Sequence, residues 1–526
     1  MNEPAADLIL YNGNVLTLNR NYPRAQMVAV LNGKVLSVSD SESIKELKGR
    51  RTRVIDLQGK TVIPGFNDAH CHLVAFAESL ITLNLSRTEV RSISEIQAKI
   101  RSLAGKLPAG SWIRAGGYNE FYLAEKRHPT RWELDEATNI HPVKLTHQSG
   151  HAHVLNSPGL ELTGISGETP EPAGGMIERD LVTGEPNGLL YGMGRYLADI
   201  VPPLKESELE QGVKLASAEL LASGITSIQD ASPHNDSLRR QKFEEWQRKG
   251  YLKPRVTMML GLKAFRQFHE EGLLQKTGDR QLRLGAVKIM LDETTGQLNP
   301  PQNELNQKVL EIHQAGFQVA LHAIEENTIE AAGTALEYAL RTLPRKDHRH
   351  RIEHCSVCTP DMAKRLASLE VVVVTQPSFI YYSGERYLGT VPDEQRKYLY
   401  PIASLMKAGL KVGAGSDCPV VPPDPLHGIY AAVSRKAETG QYLLPEESIP
   451  PLEALEMYTE GAAYADFEEI LKGSIVAGKL ADIVVLSGDP TAMTPEEMKD
   501  LKVVMTIVGG EIVRESPSQA IMPLSI

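Results

Sequence analysis

The middle of the chain repeats one rhythm: a short run rich in Val, Ile and Thr, then a longer segment of helical periodicity such as ELEQGVKLASAELLASG or ENTIEAAGTALEYALRTL. That alternation is the signature of βα units, in which parallel strands are joined by helical crossovers. After the run ending at His72, seven more follow: TSIQD (226–230), RVTMML (255–260), VKIML (287–291), VALHA (319–323), HRIEHC (350–355), VVVVTQP (371–377) and KVGAGSD (411–417). Eight parallel strands close naturally into a (β/α)8 barrel of the TIM type, an α/β fold whose chemistry sits at the C-terminal ends of the strands.

A barrel of this kind takes up ~250 residues, and the chain has 526. Part of the surplus lies at the two ends. Residues 7–63 alternate apolar runs with turn signals, Asn12-Gly13 and Asn32-Gly33 suiting tight hairpins, and read as a small antiparallel sheet. The C-terminal runs GSIVAGKLADIVVLSG and VVMTIVGGEIVRE have the same style and no partners nearby. Residues 1–63 and 471–526 are therefore expected to form one composite β domain, with the barrel over 64–470. The rest of the surplus separates the first barrel strand from the second. Residues 75–215 read as an insertion on the active face, a lid or substrate-recognition segment, because they follow a strand's C-terminal end.

Hydrophobic content of 42% and charged content of 23% suit a soluble globular protein, and no apolar run approaches a membrane span. The net charge of -10 argues against nucleic acid as a partner. The start MNEPAADLILYNGN lacks a basic region followed by an apolar one, so a cytoplasmic location is expected. A small-molecule substrate is the expected partner; a homodimer stays open. Four cysteines are too few for a disulfide framework, and Cys71, Cys355 and Cys418 each follow a His or Asp at a strand end, which fits reduced, buried thiols.

Those strand ends carry the chemistry. Residues i and i+2 of a strand point the same way, so His70 and His72 of PGFNDAHCHL can face the barrel axis together. Lys288 in the fourth run, His322 in the fifth, His354 in the sixth and Asp417 at the end of the eighth fall near the same rim. Imidazoles and a carboxylate suit zinc or a similar divalent metal. Lys288 cannot ligate as an ammonium, and an unpaired charge in an apolar strand is costly. Carboxylation of the amine to a carbamate that bridges two metals, a salt bridge to Asp292, Glu293 or Asp417, and a Schiff-base role all answer that cost.

The ordered set PGFNDAHCH, VKIML, VALHA, RIEHC and GAGSD resembles the amidohydrolase superfamily, metal-dependent barrel hydrolases with a flanking β-sandwich built from both chain ends. THQSGHAHVLNS, GITSIQD, HRIEHC and GSIVAGKLADIVVL resemble the branch that contains N-substituted formamide deformylase. Carried over residue by residue, the resemblance implies His70, His72 and Asp417 on one metal, His322 and His354 on a second, and carboxylated Lys288 between them, with zinc the first choice for both. It further implies hydrolysis of a non-peptide C–N bond, in an amide, formamide or carbamate, by metal-activated water with Asp417 as general base and then acid.

Where many relatives have a small residue and an aspartate after the fifth-strand histidine, this chain has HAIEEN. The resulting His322-x-x-Glu325 resembles single-metal deaminases of the superfamily, which makes deamination of an amino-substituted ring the alternative reaction. A carboxylate favoured by the dipole at a helix N-terminus explains Glu325 equally. In the insertion, His151 of HQSGHAH matches the family's S-G-H stretch and is expected to contact the substrate or its oxyanion, whereas His147 and His153 read as surface or packing residues. Tyr118, after a double glycine, and Gln376, after the seventh run, are further candidates for the pocket. His427 and Arg435 lie on a helix that could present them at the rim.

Overall fold

The computed structural model describes residues 5–172, 174–293 and 296–516; the outermost residues of the expected β domain, 1–4 and 517–526, lie outside the described residues. Eight parallel strands form one sheet in sequential order: β1 (Phe66–Cys71), β2 (Ile225–Asp230), β3 (Arg255–Gly261), β4 (Leu282–Met290), β5 (Val319–Ala323), β6 (Arg351–His354), β7 (Val372–Thr375) and β8 (Lys411–Ala414). Their residues are buried almost throughout, and β3, β4, β5 and β7 accordingly read as largely apolar runs. β4 starts five residues before the predicted run, because Arg283 interrupts the apolar pattern; its Nη1 lies 2.8 Å from Glu468 Oε1.

The seam between β8 and β1 is closed by the chain that follows β8. Asp417 N donates to His70 O at 2.7 Å, and His72 N donates to Cys418 O at 2.9 Å. A side chain at position 415 would bring a Cβ within 2.5 Å of His70 N, so Gly415 lets the two segments approach.

Thr61–Pro64 pairs antiparallel with Ile483–Leu486 in a six-stranded sheet drawn from both ends of the chain. A four-stranded sheet lies beside it, and residues of both sheets share one apolar core that includes Leu10, Val30, Val62, Val485 and Ile507. These sheets are mixed and not antiparallel: Leu8–Tyr11 runs parallel to Arg53–Asp56, and Asn14–Leu16 parallel to Thr61–Pro64. Asn32-Gly33 makes the expected hairpin, with φ of 51° and 73°. Asn12-Gly13 does not; it hands the chain from the four-stranded sheet to the six-stranded one.

Between β1 and β2, residues 83–191 supply another six-stranded sheet, with a core of its own. The chain is back against the barrel before residue 215. Helix Glu206–Ala222 packs on helix Leu73–Ser79 so closely that a Cβ on Gly212 would lie 2.4 Å from Ala77 O. No helix among the described residues is long and apolar enough to cross a membrane.

Candidate metal centre

The residues picked from five strand ends converge. His72 Nε2 lies 3.0 Å and His70 Nε2 3.5 Å from Asp417 Oδ1, and the three side chains form a group with metal-ligand spacing. Lys288 Nζ stands 3.4 Å from His70 Nε2. The ring centroids of His354 lie 4.8 Å from His70 and 4.4 Å from His322. His72 reaches the group from one residue beyond β1, at the start of the next helix, and Asp417 from the loop after β8, with φ of 59°.

Each nitrogen has a defined task. His70 Nδ1 donates to Glu353 Oε2 at 2.5 Å, and His354 Nδ1 donates to Gln376 Oε1 at 2.7 Å. In both rings the lone pair is left on Nε2, facing the centre. Burial pushes the pKa of His70, His322 and His354 down, and the neighbouring Lys288 or histidine charges add to this for His70 and His322, so the rings are neutral ligand donors. Burial would raise the Asp417 carboxyl, but His72 and His70 outweigh it and hold it well below its ordinary range. His354 Nε2 is buried and has no hydrogen-bond partner among the described residues. An orphaned buried nitrogen in a cluster of competent donors fits a bound cation.

Lys288 is 1% exposed. The salt bridge that would neutralise it is absent: among the described residues no carboxylate stands within ion-pair distance. Burial lowers its pKa to about 8, which brings the neutral amine within reach.

The sequence reading missed the support beneath these ligands. Glu353 is gripped by Arg351, whose Nη2 donates to Oε2 at 3.0 Å and whose Nε donates to Oε1; Arg351 also donates to Gln229 Oε1 at 2.5 Å and Ala69 O at 2.7 Å. A buried R-x-E in the strand leading to His354 was the available signal, since buried charges must be paired. Asp68 accepts from His70 N at 3.1 Å and from Ser416 N at 2.9 Å, tying β1 to the loop that carries Asp417.

Three expected contacts fall elsewhere. Tyr118 is fully buried in the insertion's own core, its hydroxyl 3.0 Å from His128 Nδ1, and does not line a substrate pocket. Gln376 is fully buried behind His354 and orients that ring. Arg435 is also fully buried, donating to the carbonyls of Leu443, Leu444, Tyr400 and Leu399, so it is not offered to a ligand. His427 is held by Asp424 Oδ2 at 2.7 Å. His151 does reach the centre: its ring lies 5.9 Å from that of His322. Glu325 is exposed at the cap position of helix Glu326–Thr342. All four cysteines are free and buried.

A family model described as "Amidohydrolase family" matches residues 53–514. The chain is 30% identical over 533 residues to N-substituted formamide deformylase of Arthrobacter pascens, with 96% of this chain and 97% of that protein covered. Two solved structures, of uncharacterized metal-dependent hydrolases from Pyrococcus horikoshii and Pyrococcus furiosus, match with TM-scores of 0.74 and 0.71 at 24% and 26% identity. They cover 93% and 92% of this chain and 99% of their own.

Proposed function

The chain belongs to the amidohydrolase family, and on that premise we propose that it is a metal-dependent hydrolase of a non-peptide C–N bond, with N-substituted formamides, amides and carbamates as the substrate class. One observation carries this reading: four histidines and Asp417 meet a buried Lys288 at one rim, and among the described residues that lysine has no carboxylate at ion-pair distance and His354 Nε2 no hydrogen-bond partner. His70, His72 and Asp417 would hold one divalent cation, zinc by preference, and His322 and His354 a second. Lys288, carboxylated by carbon dioxide, would bridge them. A cation bound there supplies Lewis acidity, polarising a carbonyl and acidifying water. Asp417 turns Oδ1 toward His70 and His72, leaving Oδ2 to take a proton from the attacking water and return it to the leaving nitrogen. The sheet within residues 83–191 acts as the substrate-recognition segment, with His151 at its inner face, and the two terminal sheets form a composite β-sandwich.

Elemental analysis of protein produced with zinc and bicarbonate tests the reading, together with formate release from N-substituted formamides. Two metals per chain and formate release are expected. One metal per chain with ammonia release from an amino-substituted ring would replace the reading by the deaminase, with Glu325 as its proton shuttle.

A further inference from the structure

His151 is the insertion's contribution to the centre, yet it sits on an exposed turn. Something must hold that turn. Ser149 Oγ lies 2.8 Å from His147 Nδ1 and accepts from His151 N at 3.3 Å. Ser149 N donates to the same His147 Nδ1 at 3.1 Å. A ring nitrogen that accepts cannot also carry a hydrogen, so in the neutral ring the hydrogen is on Nε2. Nε2 lies 2.9 Å from Glu120 Oε2. Both atoms are buried and meet at ion-pair distance, with hydrogen-bond geometry to no described residue, each other included; His128 Nε2 stands farther off, 3.7 Å from the same oxygen. Burial pushes the Glu120 carboxyl up, but His147 outweighs it and holds the group at about 2.

A second stitch runs through Gln148. Its Nε2 donates to Val420 O at 2.7 Å, three residues beyond Asp417, and its Oε1 accepts from Asn119 Nδ2 at 3.1 Å. Gln148 N donates to Tyr118 O at 2.8 Å. The turn is thus fastened to the insertion's core on one side and to the Asp417 loop on the other.

We propose that Glu120 and His147, acting through Ser149, are positioning residues that seat His151 at the metal centre. This rests on the reading of that centre as the catalytic site. The sequence placed His147 among surface or packing residues because its partner Glu120 is separated from it by a strand and a helix and has no motif.

The test is a double-mutant cycle in the full-length, metal-loaded protein, with N-substituted formamide turnover as the readout. Glu120→Ala should lower turnover by about tenfold to a hundredfold in the parent, the scale of a misplaced group, and by less than about twofold once His151→Ala is present, because coupled residues are not additive. Glu120→Gln keeps an oxygen able to accept from Nε2 and should recover most of the loss. Metal content should stay unchanged. An equal fold-loss in both backgrounds, or no loss in the parent, overturns the proposal. Should Glu120→Ala fail to fold, Ser149→Ala breaks the same link without stranding a buried charge and should behave alike. A crystal structure of whichever variant folds decides the seating without reference to activity: the His151 ring is expected to leave its place beside His322, and an unmoved ring refutes the idea. Failure of the underlying functional reading looks different, as full turnover in His70→Ala.

Discussion

The barrel carries a buried histidine cluster at each end, and the two differ in one respect. At the N-terminal end, His313, His348 and His350 sit around the starts of β5 and β6, and all six of their ring nitrogens are engaged. His313 Nε2 donates to Leu343 O at 2.7 Å, its Nδ1 meets His350 Nε2 at 2.8 Å, and His350 Nδ1 accepts from Val319 N at 3.0 Å; His348 spans Leu369 O and His350 N, each at 3.0 Å. At the C-terminal end, four residues after His350, His354 engages Nδ1 and leaves Nε2 without a hydrogen-bond partner among the described residues. Burial lowers the pKa in both clusters, so a depressed histidine pKa does not tell a site from a staple. Between these two ends, the unpartnered Nε2 of His354 does.

Breaking the C-terminal cluster has the largest expected effect. Asp417→Asn should reduce turnover by about 10² to 10⁴-fold, the range of a general acid–base group, with circular dichroism and melting showing a folded chain; retained turnover would remove Asp417 from the mechanism. His70→Ala and His72→Ala should also lower the metal content measured by elemental analysis. Next come the residues beneath the ligands. Glu353→Gln and Gln376→Ala should weaken metal affinity by about 10 to 100-fold, read by competition with a chelator, and unchanged affinity would make them packing residues only.

The N-terminal cluster should respond in the opposite currency. His350→Ala leaves His313 Nδ1 and Val319 N unpaired, at a cost of about 1–3 kcal/mol of stability for each buried group, seen as a lower denaturation midpoint with metal content intact. Loss of metal there would erase the contrast between the two ends. The smallest effect is expected at Glu325, whose replacement by Gln should change turnover by less than about twofold, the equivalent of the 0.5 kcal/mol typical of exposed positions; a large loss would bring the deaminase reading forward.

Most of the barrel was legible because its signal is local. Strands such as Val319–Ala323 and Val372–Thr375, buried on both faces, are largely apolar and stand out as runs, and the ligands stood at or near the ends of the strands. The misplaced start of β4 marks where that signal weakens, at a charged residue inside a strand. Asn12-Gly13 shows a second limit. A turn dictates the backbone conformation of its own residues, but not whether the next strand pairs with the last.

Sequence by itself determined the eight-strand architecture, the donor types at its rim and the mismatch of a lysine inside an apolar strand. Tertiary structure alone decided what each donor does. His70 is oriented by Glu353, 283 residues away, and Arg351 reaches back to Ala69 over 282. Tyr118 turned into the insertion's core, Arg435 into a ring of carbonyls and Gln376 behind His354, while Glu120 and His147 met beneath His151. The physical reason is that local preference fixes an element's period, whereas a buried polar atom must find its partner wherever the fold brings one within hydrogen-bond reach.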